Sequence, residues 1–197
     1  FLCCGGKGGS PDDFLLGFPK KEGVLCMPLK IAIFGASGYT GAEAIRIALG
    51  HPHVEIVALT GESKAGKTID EVYPHLAGFG LPSLVKIEDV SLKGLDAVFL
   101  CLPHATTQRV AKTLRAAAPD LRLIDLSADF RLRDVAAYED WYGEHFAPEH
   151  QGQAVYGLTE HYRTDIKDAP IIACPGCYPT SILVPLLALQ NAGLIDP

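Results

Sequence analysis

Methionine and tryptophan occur once each in 197 residues, aromatic residues make up 8%, and no stretch is both long and apolar. The longest purely apolar run, residues 182–189, is eight residues and contains Pro185, too short to span a bilayer. Positive charge is not in excess either: 17 Lys and Arg stand against 23 Asp and Glu, for a net charge of −6. An acidic surface repels nucleic acid and anionic membranes, so neither is an expected partner. A regular cysteine framework is also missing. Cys3, Cys4, Cys26, Cys101, Cys174 and Cys177 are irregularly spaced, and a chain of this size needs no disulfide staples, so a reducing, cytoplasmic setting is expected.

With 48% hydrophobic and 20% charged residues the composition is that of a soluble domain with a core, and the length suits one domain and part of another. Residues 1–28 start with Phe, show no clear periodicity and lack the features of a secretory signal. Met27 precedes the first strand and is the expected native start. The residues before it read as linker, upstream translation or a targeting remnant, and in the last case the location becomes organellar. The chain stops at Pro197 directly after a helix, as expected of a fragment.

From Lys30 onward strands alternate with helices. Apolar, β-branched runs at 30–34, 54–60, 96–102, 121–127 and 170–174 read as buried parallel strands. Helices are expected over 41–50, closed by Gly50 and Pro52, around 106–118, and over 180–192, closed by Gly193. Residues 61–83 read as irregular with one short helix near Asp70, and 128–168 as poorly periodic. The pattern predicts an α/β fold with a doubly wound parallel sheet, a Rossmann-like dinucleotide-binding domain over 29–174. Residues 175–197 then begin a catalytic, α+β domain. Ligands of such sheets bind beyond the carboxyl ends of the strands.

The turn "FGASGYTG" carries Gly35, Gly38 and Gly41 between the first strand and first helix. Glycines there let the backbone turn tightly and approach a pyrophosphate, whose charge the helix N-terminus favours. After the second strand, "GESKAGK" follows Glu62 with Ser63, Lys64 and Lys67. Small polar and basic residues suit a ribose 2′-phosphate, favouring NADP(H), although a solvated loop has the same composition.

Cys174 and Cys177 form a C-x-x-C pair with several readings. Zinc needs about four ligands, and no second cysteine pair or recognised histidine spacing accompanies this one. A thioredoxin-like dithiol belongs to a smaller and different pattern. A buried, inert cysteine stays open, since free cysteine is a commonly buried residue. A nucleophile fits the position of Cys177, in a Pro-Gly turn before a helix whose first N–H groups favour an anionic sulfur and can hold an oxyanion.

"GASGYTGAE", "LPHATTQ", "DLSADFRL", "YGLTE" and "PGCYPTS" occur in the order found in N-acetyl-γ-glutamyl-phosphate reductases, and residues 30–197 resemble that family. The resemblance implies that Cys177 is the nucleophile, that Gly35, Gly38 and Gly41 with Ser37, Tyr39 and Thr40 line the cofactor pyrophosphate, and that Leu102 and Pro103 lie near the nicotinamide ribose. It implies NADPH-dependent reduction of an acyl phosphate to N-acetylglutamate semialdehyde through a cysteine thioester, in arginine biosynthesis. The general base is expected beyond Pro197, His104 is expected to shape the cofactor pocket, and the full-length protein is expected to be a homo-oligomer. For an anionic substrate Arg131 is the expected partner, with Arg133 a further candidate. Ser127 and Asp129 are expected to organise the substrate pocket, and Tyr156 and Glu160 are weaker candidates.

Two positions depart from the family: Cys174 stands where Asn is usual, and Ala105 where Gly is usual. The first raises the possibility of an inactivating Cys174–Cys177 disulfide. Two other readings compete. An aspartate-semialdehyde dehydrogenase shares the chemistry but places its cysteine in an Asn-Cys context, and a non-catalytic NADP-binding Rossmann protein has no reason for a Pro-Gly-Cys turn.

Overall fold

Strand β1 (Leu29–Phe34) sends Ile31 and Ile33 into one apolar cluster and Ala32 and Phe34 into another. Alternation puts successive side chains on opposite faces, so a strand apolar from Ile31 to Phe34 must be covered on both sides. The structure, a computed structural model, describes residues 27–196. The expected 1–28 extension lies outside them, apart from Met27 and Pro28.

Around β1 runs a seven-stranded sheet in the order β3-β2-β1-β4-β5-β7-β6, with every pairing parallel. The other strands are β2 (Val54–Thr60), β3 (Leu84–Val85), β4 (Ala97–Leu100), β5 (Arg122–Asp125), β6 (Ala154–Tyr156) and β7 (Ile171–Ala173). The helices are α1 (Tyr39–Leu49), α2 (Ile69–Val72), α3 (Thr106–Ala117), α4 (Val135–Tyr142), α5 (Pro148–Gln151), α6 (Thr159–Asp168) and α7 (Cys177–Asn191). Ile45 of α1, with Ile69 and Leu76, covers one face; Ala111 and Leu114 of α3 cover the other. The chain leaves β1 toward β2 and β3, then returns to add β4 on the other side. That reversal opens a crevice beyond the carboxyl ends of β1 and β4.

The five expected strands and three long helices are present, with three local differences. Gly50 caps α1 in a right-handed conformation, φ −83°, whereas Gly193 after α7 takes φ +67° as a left-handed terminator. The 128–168 segment holds α4, α5, β6 and α6 where little regular structure was expected. Helix α7 starts at Cys177 rather than Thr180, because Pro179 falls in the first turn, where a missing N–H costs nothing. The candidate nucleophile therefore occupies the first helical position.

Candidate functional site

The glycine turn is shaped by close backbone approaches. Gly35 has φ +81°, and a Cβ on it would lie 2.2 Å from the Cys101 carbonyl oxygen. A Cβ on Gly41 would lie 2.3 Å from the Gly35 oxygen, whereas one on Gly38 would meet nothing nearer than 3.5 Å. Thr60 fixes the turn from β2, its hydroxyl accepting from Gly35 N at 3.0 Å and its carbonyl from Ala36 N at 2.7 Å. Helix α1 is preceded by Gly38 at its N-cap, with neither a capping side chain nor an acidic residue in its first turn. Its N-terminal N–H groups thus stay open to an anion. Gly35, Ser37, Gly38, Thr40, Leu102 and Pro103 line a crevice of about 380 Å³ there, together with Cys101 and Leu126. Tyr39 is 90% exposed at the first position of α1.

At the end of β2, Glu62, Ser63 and Lys64 form a single exposed 3-10 turn. The Glu62 carboxylate accepts from Ile87 N at 3.1 Å, which ties it to the chain following β3.

The "DLSAD" turn is a chain of side-chain caps. Asp125 Oδ1 accepts from Ser127 N at 2.8 Å, and the Ser127 hydroxyl accepts from Asp129 N at 3.1 Å. Asp129 then reaches α3, accepting from Ala105 N at 3.1 Å and Gln108 N at 3.2 Å. Ser127 and Asp129 are both buried, so of the three expected substrate-pocket residues these two spend their oxygens on backbone N–H groups of the site's own frame. His104 is also tied into that frame, its Nδ1 accepting from Ala128 N at 3.0 Å. Tyr138, Gln108 and His145, which the sequence did not single out, complete a buried network with Asp129. His145 accepts from Ala147 N through Nδ1, so its Nε2–H donates to the Asp129 carbonyl at 2.9 Å. Burial pushes the Tyr138 hydroxyl up, and the bond to Asp129 adds to this.

Arg131 is half-buried beneath the Pro-Gly-Cys turn. Its Nε donates to the Cys174 carbonyl at 2.8 Å and Nη2 to the Leu126 carbonyl at 3.2 Å. Nη1 approaches so closely that a Cβ on Gly176 would lie 3.2 Å from it. Gly157 of "YGLTE" packs as tightly on β7, its N–H bonded to the Ala173 carbonyl at 2.8 Å. Tyr156 is half-buried in β6, and Arg133 and Glu160 are exposed.

All three described cysteines are free, and only Cys177 is exposed. Burial pushes the Cys174 thiol up to about 11, with Asp125 adding to the effect and Arg131 opposing it. Burial likewise pushes Cys101 up to about 12. Both stay protonated near neutral pH, which leaves Cys177 the accessible sulfur of the three. Between the two cysteines, Gly176 is extended at φ −69°, ψ 157°. The Cys174 backbone is also held on both sides, donating to the Asp125 carbonyl at 2.8 Å and accepting from Arg131. In this structure the two sulfurs of the suggested Cys174–Cys177 disulfide are both free thiols.

Among the described residues no group of three or more His, Cys, Asp or Glu is arranged to hold a metal. No helix among them is long and apolar enough to cross a membrane.

The family model for the semialdehyde dehydrogenase NAD binding domain matches residues 30–169, the span from β1 to the end of α6. The chain belongs to that family. This semialdehyde dehydrogenase domain is 51% identical over 168 residues to a probable N-acetyl-gamma-glutamyl-phosphate reductase, chloroplastic, of Arabidopsis thaliana, covering 85% of this chain and 41% of that protein. It is 55% identical to the N-acetyl-gamma-glutamyl-phosphate reductase of Jannaschia sp. (strain CCS1), covering 86% of this chain and 49% of that protein. The domain thus spans about half the length of these curated relatives. Its fold is similar to a Candida albicans aspartate semialdehyde dehydrogenase solved with NADP, with TM-score 0.59, 20% identity, and coverage of 86% of this chain and 49% of the other.

Proposed function

We propose that this chain is the cofactor-binding portion of an NADPH-dependent reductase that converts N-acetyl-γ-glutamyl phosphate to N-acetylglutamate semialdehyde and phosphate, in arginine biosynthesis. The observation that carries the proposal is the exposed Cys177 at the first position of α7, on the same edge of the sheet as the glycine crevice. Identity above 50% to proteins named as that reductase supports the substrate.

The crevice fits a dinucleotide. Gly35 and Gly41 leave no room for a Cβ, and α1 presents uncapped N–H groups beside Gly38, Tyr39 and Thr40. With Glu62 bonded to Ile87, Ser63 and Lys64 would receive the 2′-phosphate, and Leu102 and Pro103, which line the crevice, would border the nicotinamide ribose. NADPH supplies a hydride when bound.

The Cys177 thiolate attacks the acyl carbon and expels phosphate, forming a thioester held by the N–H groups of the first α7 turn. With the hydride that bound NADPH would supply, the thioester would be reduced to a thiohemiacetal, whose collapse would release the aldehyde and restore the Cys177 thiolate. That collapse also needs a general base. Arg131 braces the turn and offers Nη1 to the anionic substrate, while Ser127 and Asp129 organise the pocket from below. Residues 175–197 begin the catalytic domain, a reading supported by Ile182, Leu186 and Leu189, which α7 leaves exposed. The full-length protein is a homo-oligomer of the cytoplasm or an organelle.

The test is phosphate-dependent reduction of NADP by N-acetylglutamate semialdehyde, using the full-length protein that carries this chain and its Cys177→Ala variant.

A further inference from the structure

Ala105 is the one non-glycine residue with positive φ among the described residues, at φ 63°, ψ −27°. A side chain makes that backbone region costly, so the surrounding structure must hold it there. The residue ends the "LPHA" segment, in which Leu102 and Pro103 form one wall of the glycine crevice. Leu102 is also close to the turn opposite, where a Cβ on Gly35 would lie 3.2 Å from its side chain. A change at Ala105 is therefore passed to the crevice through three residues of chain.

What holds Ala105 lies entirely beneath the surface. Asp129 Oδ1 accepts from Ala105 N at 3.1 Å, and the same oxygen accepts from the Tyr138 hydroxyl at 2.8 Å. Gln108 Nε2 donates to the Tyr138 oxygen at 2.7 Å, and Gln108 Oε1 accepts from Phe146 N. Asp129 and Gln108 are fully buried, and Tyr138 is 1% exposed. None of them can touch a ligand in the crevice. A second tie, from Ala128 N to His104 Nδ1 at 3.0 Å, pins the neighbouring residue.

We propose that Tyr138 and Asp129 are positioning residues for dinucleotide binding, which lock Ala105 in its left-handed conformation and thereby fix the Leu102–Pro103 wall. This rests on the crevice being a dinucleotide site. Tyr138 orients the carboxylate, the carboxylate captures Ala105 N–H, and the wall follows. Glycine at 105 would adopt the same conformation without help, so the need for the Tyr138 hydroxyl depends on the methyl group of Ala105.

The dependence is measurable as a double-mutant cycle. NADPH binding to this chain is followed by calorimetry, at a temperature where each variant is fully folded by circular dichroism. Tyr138→Phe is expected to weaken NADPH binding several-fold. Ala105→Gly is expected to bind within twofold of wild type, and Tyr138→Phe in the Ala105→Gly background to lose less than half as much, on a logarithmic scale, as in wild type. A purely structural role for Tyr138 would lower the melting temperature and leave binding unchanged, which overturns the proposal. An undiminished loss in the glycine background also overturns it. If Tyr138→Phe does not fold, the isosteric Asp129→Asn enters the same cycle under the same criteria. Absence of NADPH binding by wild type would instead contradict the dinucleotide reading itself.

Discussion

Arg131 Nε donates to the carbonyl of Cys174 at 2.8 Å, three residues before the exposed Cys177. The bond joins the loop after β5 to the turn after β7, so the two segments nearest the candidate nucleophile share one guanidinium. Replacing Arg131 should therefore act on Cys177 through the backbone. Arg131→Met should cost about 1–3 kcal/mol of stability and lower full-length turnover by on the order of 10–100-fold. Arg131→Lys keeps the charge but not the fork, and should recover little. Full recovery by lysine would show that charge alone matters.

The three described thiols should react in a fixed order. Iodoacetamide on the native chain, followed by peptide mass spectrometry, should label Cys177 first, with Cys101 and Cys174 labelled only on unfolding. Under mild oxidant no Cys174–Cys177 disulfide should form while the fold is intact. Rapid native labelling of Cys174 would contradict the burial argument.

Asp125 gives a pH signature. Burial raises its carboxyl from the ordinary 3.8 to about 6; the nearby Asp129 charge adds to this, while bonds from Ser127 and the charge of Arg131 oppose it. Its Oδ2 is buried without a partner. The folded state holds this proton more tightly than the unfolded chain, so the contribution to stability is full below about pH 3.8 and is lost as pH rises through about 6. Asp125→Asn should gain on wild type across that window, by up to about 3 kcal/mol in urea midpoints converted to free energy. A difference independent of pH would contradict the assignment.

The glycines of the turn are not equivalent. Gly41→Ala should disrupt folding or abolish dinucleotide binding, because the new Cβ meets the Gly35 oxygen at 2.3 Å. Gly38→Ala has φ −92° and its nearest contact at 3.5 Å, so its melting temperature should stay within a few degrees of wild type. Thermal unfolding of both variants checks this.

That contrast shows what the sequence could and could not display. Strands such as β1 and β2 were legible because they are apolar at nearly every position, and the glycine spacing marked the turn. Which glycine is sterically compelled depends on Cys101 and Gly35 oxygens brought close only by the fold. The 128–168 segment hid α4 and β6 for a related reason. Its elements are short, and buried Asp129, His145 and Gln151 interrupt the buried apolar residues Phe130, Ala147, Ala154, Leu158 and Ile166, so no regular apolar period marks them. Asp129 was legible as a motif residue, but its service to Ala105 and Gln108 depends on a contact between distant segments. The start of α7 at Cys177 was obscured by Pro179, a residue tolerated in a first turn.

The central claim is that Cys177 carries acyl transfer beside an NADPH site. The direct measurement is phosphate-dependent NADP reduction with N-acetylglutamate semialdehyde, on the full-length protein and its Cys177→Ala variant. Wild type should turn over and the variant should lose on the order of 10³-fold or more, while still binding NADPH with unchanged affinity. The account is contradicted if wild type is inactive with this substrate, or if the variant keeps wild-type activity.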